Sequence, residues 1–248
     1  MKKAILGFSI SALAVLCSCS AEKAEDCFQK AGTAVSKKIP VPDFEKINIG
    51  EGIELAIKQG PQAGLTVEAG KNVIEGITAE VSGRQLFIRN TSGCSWTKDY
   101  NAAKAYVTVP SLTAIYSSSQ FAVKSEGVLA FPILSLQSGM FGSTPSGTFE
   151  LQVDCQSLAV EDNESSFFKI SGSTGQLLVA FYNGNARFDG TALNAGEVHV
   201  FQRSSNDIIV KPADKISGTI YSTGNVVLKN TPPVVNVVQL YQGHLVYP

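Results

Sequence analysis

The sequence predicts an all-β protein built as a single-stranded, right-handed β-helix with about 20 residues per coil. Three observations carry that expectation. Apolar residues alternate with polar ones from Phe44 onward, and no stripe at i, i+3, i+4 and i+7 interrupts them. Beyond Pro110 short strand-turn-strand units recur at a near-constant interval. The turns between them are drawn from Ser, Asn and Gly, which break strands at the same place in each unit. The alternative for evenly spaced short strands is a β-sandwich, two sheets packed face to face.

The early strands show as Ile47 with Ile49, then Ile53, Leu55 and Ile57, then Leu65 with Val67. Ile77, Ala79 and Val81 follow, and then Leu86 with Ile88, the runs being separated by Gly60-Pro61, Gly64, Gly70 and Ser82-Gly83. The first strands of the repeating units fall at 112–115, 134–136, 158–160, 177–179, 198–200, 216–220 and 235–238. Their partners fall at 121–123, 149–151, 168–170, 186–188, 208–210, 226–228 and 245–247. Turns such as Asn183-Gly184-Asn185 and Ser204-Ser205-Asn206 lie between, where Gly and Asn take positive φ at low cost. In a solenoid Leu136, Val160, Val179 and Val200 would form one inward column, with coils ~4.8 Å apart. A stack of coils also needs an end cover, and residues 235–248, with Tyr241, Tyr247 and Pro248, are expected to supply it.

The N-terminus reads as an export signal. Lys2 and Lys3 precede an apolar run over 4–16, shorter than the ~20 residues a membrane-spanning helix needs. Leu16-Cys17-Ser18-Cys19 then resembles the bacterial lipobox, with Leu three places before Cys19 and a small residue directly before it. Residues 1–18 are thus expected to be a lipoprotein signal peptide, Cys19 the lipidated residue, 19–42 a polar tether and 43–248 the folded domain. Acyl chains contribute ~0.8 kcal/mol per buried CH₂, enough to hold such a domain on a membrane. The acidic Glu22, Glu25 and Asp26 behind Cys19 leave either the cell surface or the periplasmic face of the outer membrane open. Removing Lys2 and Lys3 takes the formal charge of −1 further negative, which excludes an electrostatic footprint for nucleic acid. Cys27, Cys94 and Cys155 remain in the mature chain. Cys27 and Cys94 lie in accessible polar segments and are expected to pair as a disulfide in an oxidising compartment. Cys155 alternates with Leu151 and Val153 and reads as a small buried hydrophobe.

Several stretches resemble one family. Phe44-Glu45-Lys46-Ile47, Gly52-Ile53-Glu54-Leu55, Ile57-Lys58-Gln59-Gly60, Val67-Glu68-Ala69 and Leu86-Phe87-Ile88 look like the opening of the autotransporter-adhesin head domain, called the head GIN domain. Cys94-Ser95-Trp96 ahead of Tyr106-Val107-Thr108-Val109-Pro110 continues the likeness. The resemblance implies a β-helical domain in the envelope of Gram-negative bacteria and a role in adhesion.

Motifs for catalysis are missing. The two histidines, His199 and His244, stand apart, and His199 is out of phase with the apolar residues of its strand, so it should point outward. No G-x-S-x-G elbow, phosphate-binding glycine loop, Cys-x-x-Cys pair or His/Cys cluster occurs. Paired carboxylates for glycoside hydrolysis would have to come from Glu161, Asp162 and Glu164, or from Asp189 and Asp207. The first group reads as a solvated turn and Asp189 as a turn former before Gly190. The reading is therefore a protein without enzymatic activity, cofactor or metal, held to the membrane by its lipid. It would bind an extracellular glycan or protein or serve as an envelope scaffold. Phe167, Tyr182, Phe201 and Tyr241, beside the turns, are the contact candidates. Mass spectrometry of the mature N-terminus is expected to find an acylated Cys19. A free N-terminus beyond it, or unchanged membrane association of Cys19→Ala, would reject the lipid.

Overall fold

Where β-branched and apolar residues alternate, the chain forms strands, and nearly all of them stack in parallel. In the computed structural model of the protein, residues 31–92, 103–140 and 146–248 are described. The signal segment and the expected positions of lipid and disulfide, Cys19, Cys27 and Cys94, lie outside the described residues. The N-terminal end uses β1 (Ala34–Ile39), β2 (Lys46–Ile49), β3 (Ile53–Gln59), β4 (Gly64–Gly70), β5 (Ile77–Ser82), β6 (Gln85–Asn90) and β7 (Ala103–Val109). The regular coils use β8 (Ala114–Ser117), β9 (Val123–Leu129), β10 (Ile133–Ser138), β11 (Thr148–Asp162), β12 (Phe167–Phe181) and β13 (Arg187–Asp189). They continue with β14 (Leu193–Gln202), β15 (Ile208–Val210), β16 (Pro212–Ile220), β17 (Val226–Leu228), β18 (Val234–Gln239) and β19 (Leu245–Val246).

The result is a β-solenoid of about six turns with about 21 residues per turn. One face stacks β8, β10, the second half of β11, the second half of β12, β14, β16 and β18 in parallel. The other stacks β9, the first halves of β11 and β12, β13, β15, β17 and β19. Each coil leaves the first face through a polar corner, enters the second face and returns. The parallel ladder excludes the antiparallel β-sandwich.

The inward column is the one expected from the sequence. Leu136 lies beside Val160, Val160 beside Val179 and Val179 beside Val200, all fully buried. On the second face Phe149, Phe168 and Phe188 share a register position, and the first two rings stack at 4.6 Å. Burying each such side chain contributes ~2 kcal/mol or more, and ring stacking adds a fraction of that.

The N-terminal end departs from simple progression along the axis. β2 lies between β6 and β8, and β3 between β7 and β9. The chain therefore makes one coil, turns outward, and lays its second coil on the free side of the first. The reversal runs through antiparallel strands: β4 on β7, β1 on β4, and β5 on β6. Gly83 and Arg84, both at positive φ, make the tight β5–β6 hairpin turn. These antiparallel strands close that end of the stack. β1 lies within the segment expected to be tether; its half-buried Val35 and Ile39 pack on the core while Lys37 reaches Glu75 at 2.9 Å. The opposite end is different. Residues 235–248, expected as a cover, form one more coil, and Tyr241 and Tyr247 are 61% and 51% exposed.

The polar corner is knit by side chains pointing inward. Ser117, Ser138, Asp162 and Gln202 all occupy the last strand position before it and are fully buried. Ser166 donates to Ser138 at 2.8 Å, and Ser138 donates onward to the Ser117 carbonyl at 2.9 Å. Asn206 bridges coils by donating to the Asn185 carbonyl at 2.6 Å, so it is not the dispensable turn residue its exposure suggests. Among the described turn asparagines none has positive φ, and the side chains of Asn206 and Asn225 bridge coils by hydrogen bonds instead. Asp162, read from sequence as part of a solvated turn, is buried because it continues the inward phase of Leu158 and Val160. Its Oδ1 accepts the Glu164 N–H at 2.6 Å and Oδ2 has no hydrogen-bond partner; Glu164 and Ser166 favour the charged carboxylate but do not offset its burial. Burial therefore pushes this carboxyl up to about 6.

Two predictions follow from this packing. Val179→Asp would place an unpaired charge in the apolar column at a cost of several kcal/mol, whereas Asn206→Ala should cost ~1 kcal/mol, for one lost bridge. Urea titration of both variants checks the contrast; equal losses would contradict the column. For Asp162 the folded state holds its proton more tightly than the unfolded chain, from 3.8 to about 6. Its stabilising contribution is thus complete below the lower value and is lost as pH rises through the upper one, by at most ~3 kcal/mol. Asp162→Asn should raise the melting temperature at neutral pH and flatten the difference between pH 4 and pH 7 relative to wild type. An unchanged pH profile would show that Asp162 is not the titrating group.

Candidate functional site

The outer side of the first face, next to the polar corner, gathers the side chains best suited to contact. One outward register column runs Asn48, Tyr116, Gln137, Glu161, Ala180, Phe201, Thr219. Tyr182 and Tyr221 flank it from the first position of the corner, after the inward Phe181 and Ile220. Strand alternation fixes which residues point out, and stacking brings residues about 20 apart in sequence to adjacent positions.

Glu161 is the polar centre. Gln137 Nε2 donates to its Oε2 at 2.8 Å, and the Tyr182 hydroxyl donates to its Oε1 at 2.8 Å. Burial and the Glu161 carboxylate push the Tyr182 phenol up to about 12, so it stays a neutral donor. The Tyr182 ring packs on Phe201 at 5.5 Å, and Phe201 packs on Tyr221 at 4.7 Å, both tilted by 40–45°. Tyr182 and Phe201 are half-buried, and Tyr221 is exposed. Toward the N-terminal end the strip opens into a groove of about 440 Å³ lined by Lys46, Asn48, Thr113, Tyr116 and Gln137. Beside the aromatic ladder a smaller groove of about 170 Å³ is lined by Gln176, Leu178, Glu197 and His199. His199 is exposed, with Nδ1 3.1 Å from the Ser217 hydroxyl, in keeping with its phase in the strand.

The four aromatic candidates separate. Tyr182 and Phe201 come together in the ladder. Phe167 belongs to the second face, under the Arg187 guanidinium at 5.2 Å, and Tyr241 sits on the last coil. Tyr221 was missed, although it follows Ile220 as Tyr182 follows Phe181.

The carboxylates do not converge on a reaction. Asp189 accepts the Thr191 N–H at 3.0 Å; burial acts to raise its carboxyl, but Thr191, Arg187 and Lys169 outweigh it and hold it low. Asp207 accepts both the backbone and the side-chain N–H of Asn225 at 3.0 Å. Both serve turns. Among the described residues no group of three or more His, Cys, Asp or Glu side chains could hold a metal ion. Cys155 is a buried free thiol, pushed up by burial against an opposing contact with Thr174, which leaves it a poor nucleophile. Among the described residues no helix is long and apolar enough to cross a membrane.

Comparison with solved structures returns the same architecture. A putative adhesin from Bacteroides fragilis is 19% identical, with a TM-score of 0.79 over 89% of this chain and all of the other. A putative lipid binding protein from Parabacteroides distasonis is 14% identical, with a TM-score of 0.66 over 88% of this chain and 99% of its own. A putative adhesin from the same species is 15% identical, with a TM-score of 0.63 over 88% and 99%. At these identities the likeness shows the fold. No curated protein matches the chain. The family described as "Putative auto-transporter adhesin, head GIN domain" matches residues 43–232, which cover most of the strands, both faces and the aromatic strip. With that match the expectation drawn from the opening strands holds, and the chain belongs to this head GIN domain family.

Proposed function

We propose that the protein is an adhesin of the cell envelope, anchored in the outer membrane by a lipid on Cys19, which binds extracellular saccharide along the outer strip of its first face. The observation that carries the binding reading is the Tyr182–Phe201–Tyr221 ladder continuous with the Glu161–Gln137 pair. Aromatic faces take the apolar faces of sugar rings, and the carboxylate and amide beside them offer hydrogen bonds to hydroxyls. Family membership supports adhesion, and the Leu16-Cys17-Ser18-Cys19 segment supports the anchor. The family and the structural relatives carry descriptions as putative adhesins or a putative lipid binding protein, and Asp189 and Asp207 each serve a turn. A second reading, an envelope scaffold with no small ligand, is favoured by the way Gln137 and Tyr182 already satisfy Glu161.

A glycan array probed with the full chain in detergent separates the two. Saccharide binding is expected, and Tyr221→Ala should weaken it about tenfold, ~1.4 kcal/mol, with the melting temperature nearly unchanged. Failure of the wild type to bind any saccharide, or full binding by Tyr221→Ala, would remove the glycan reading.

A further inference from the structure

The two ends of the solenoid differ in a way that points to a partner. At the N-terminal end antiparallel strands cover the stack, and the outermost strand, β1, carries Lys37 and Lys38. Edge lysines discourage strand addition, because pairing would bury or crowd their charges. At the other end, among the described residues, β18 pairs only with β16, and β19 only with β17. One edge of each strand therefore presents free backbone N–H and C=O groups.

The surface around that open edge is apolar. Val234, Val238, Leu240, Tyr241, Val246 and Tyr247 are 40–61% exposed, and Val235, Val237 and Leu245, which continue the core columns, are only partly buried. Residues 231–248 contain no Asp, Glu, Lys or Arg. That neutrality matters for the choice of partner. An interface between identical copies places each residue near its own symmetry mate, so any charge near the axis would face a like charge. Apart from His244 no side chain of this segment can bring that conflict, and a partner selected by charge would find little to read. Val238 lies beside the outward Thr219 at the flank of this edge, while Val235, Val237 and Leu245 lie in the columns that a further coil would cover.

We propose that the last coil is a homodimer interface: two copies meet end to end, β18 of one pairing antiparallel with β18 of the other about a two-fold axis. The apolar columns of the two copies then become continuous, and the closed symmetry stops growth at two. The two aromatic strips would lie on one doubled rod.

Sedimentation of the full chain in density-matched detergent tests this. The wild type is expected to sediment as a concentration-dependent dimer. Val238→Lys combined with Leu240→Lys sets like charges against each other at the seam and should raise the dissociation constant roughly a hundredfold or more. Both positions are more than half exposed, so the fold should survive, and circular dichroism verifies it. Tyr221→Ala, in the strip, should leave the dimer intact, which separates this proposal from saccharide binding. A wild type that stays monomeric at all concentrations, assembles beyond a dimer, or dimerises equally well with both lysines would overturn it.

Discussion

Everything in this molecule depends on coil-to-coil register. Parallel pairing fixes each residue opposite the one about 20 positions on, as Val160 sits against Val179 and Val179 against Val200. Because side chains alternate across a strand, an error of one residue would turn an entire inward set to solvent. Coils are nonetheless unequal in length, and the differences are absorbed at local shifts within the ladder and at the corners. The pairing of β9 with β11 shifts register between Glu150 and Gln152, and that of β14 with β16 shifts between Ala195 and Glu197. The corners take up the rest. Stacked turns approach closely there: at Gly184, with positive φ, a Cβ would lie 1.9 Å from the Glu164 carbonyl, so only glycine fits.

Register also explains the corner chemistry. Backbone groups in a turn cannot all join the ladder, and those facing inward lose water. Inward polar side chains at the last strand position and two places beyond it satisfy them, as Ser138 does for the Ser117 carbonyl, Ser119 for that of Ile53 and Ser204 for that of Ala186. The column therefore changes from apolar to polar over a single residue step. Asp162 is the costly member of that set, since it is charged at neutral pH in a place that favours the neutral form.

The regular part of the fold was legible in the sequence because two periods coincide in it, two residues within a strand and about twenty between coils. That coincidence identified Leu136, Val160, Val179 and Val200 as one column and placed His199 outside it. The same phase rule, carried two residues past Val160, would have put Asp162 inside, but its acidic neighbours Glu161 and Glu164 read as a solvated turn. The order of the N-terminal coils was not legible. The apolar alternation of β2 and β3 is the same whether the next coil stacks on one side or the other, and only the antiparallel return through β4 and β5 decides it. The last repeat, 235–238 with 245–247, was legible as a coil, while the exposure of Tyr241 and Tyr247, expected to help cover the end, was not. The ladder was half visible, since Tyr182 and Phe201 were picked out while Tyr221, on the next coil, was passed over.

A solenoid divides its sequence into positions that register controls and positions that it leaves free, and this division locates function. Inward at the middle of the first face every coil from β2 to β14 carries Ile, Leu or Val. One position further along each strand the side chain points outward, and the column reads Asn48, Tyr116, Gln137, Glu161, Ala180, Phe201, Thr219, with no common chemistry. Folding does not demand that variety, so a clustered aromatic run with a clamped carboxylate within it is a feature of the surface and not of the scaffold. Such a strip is long, shallow and fixed on rigid strands. Asp189 and Asp207 each hold a turn, and Glu161 is held by the neutral donors Gln137 and Tyr182. A rigid, extended surface of this kind suits recognition of an extended ligand, where several modest contacts in register add up along the rod.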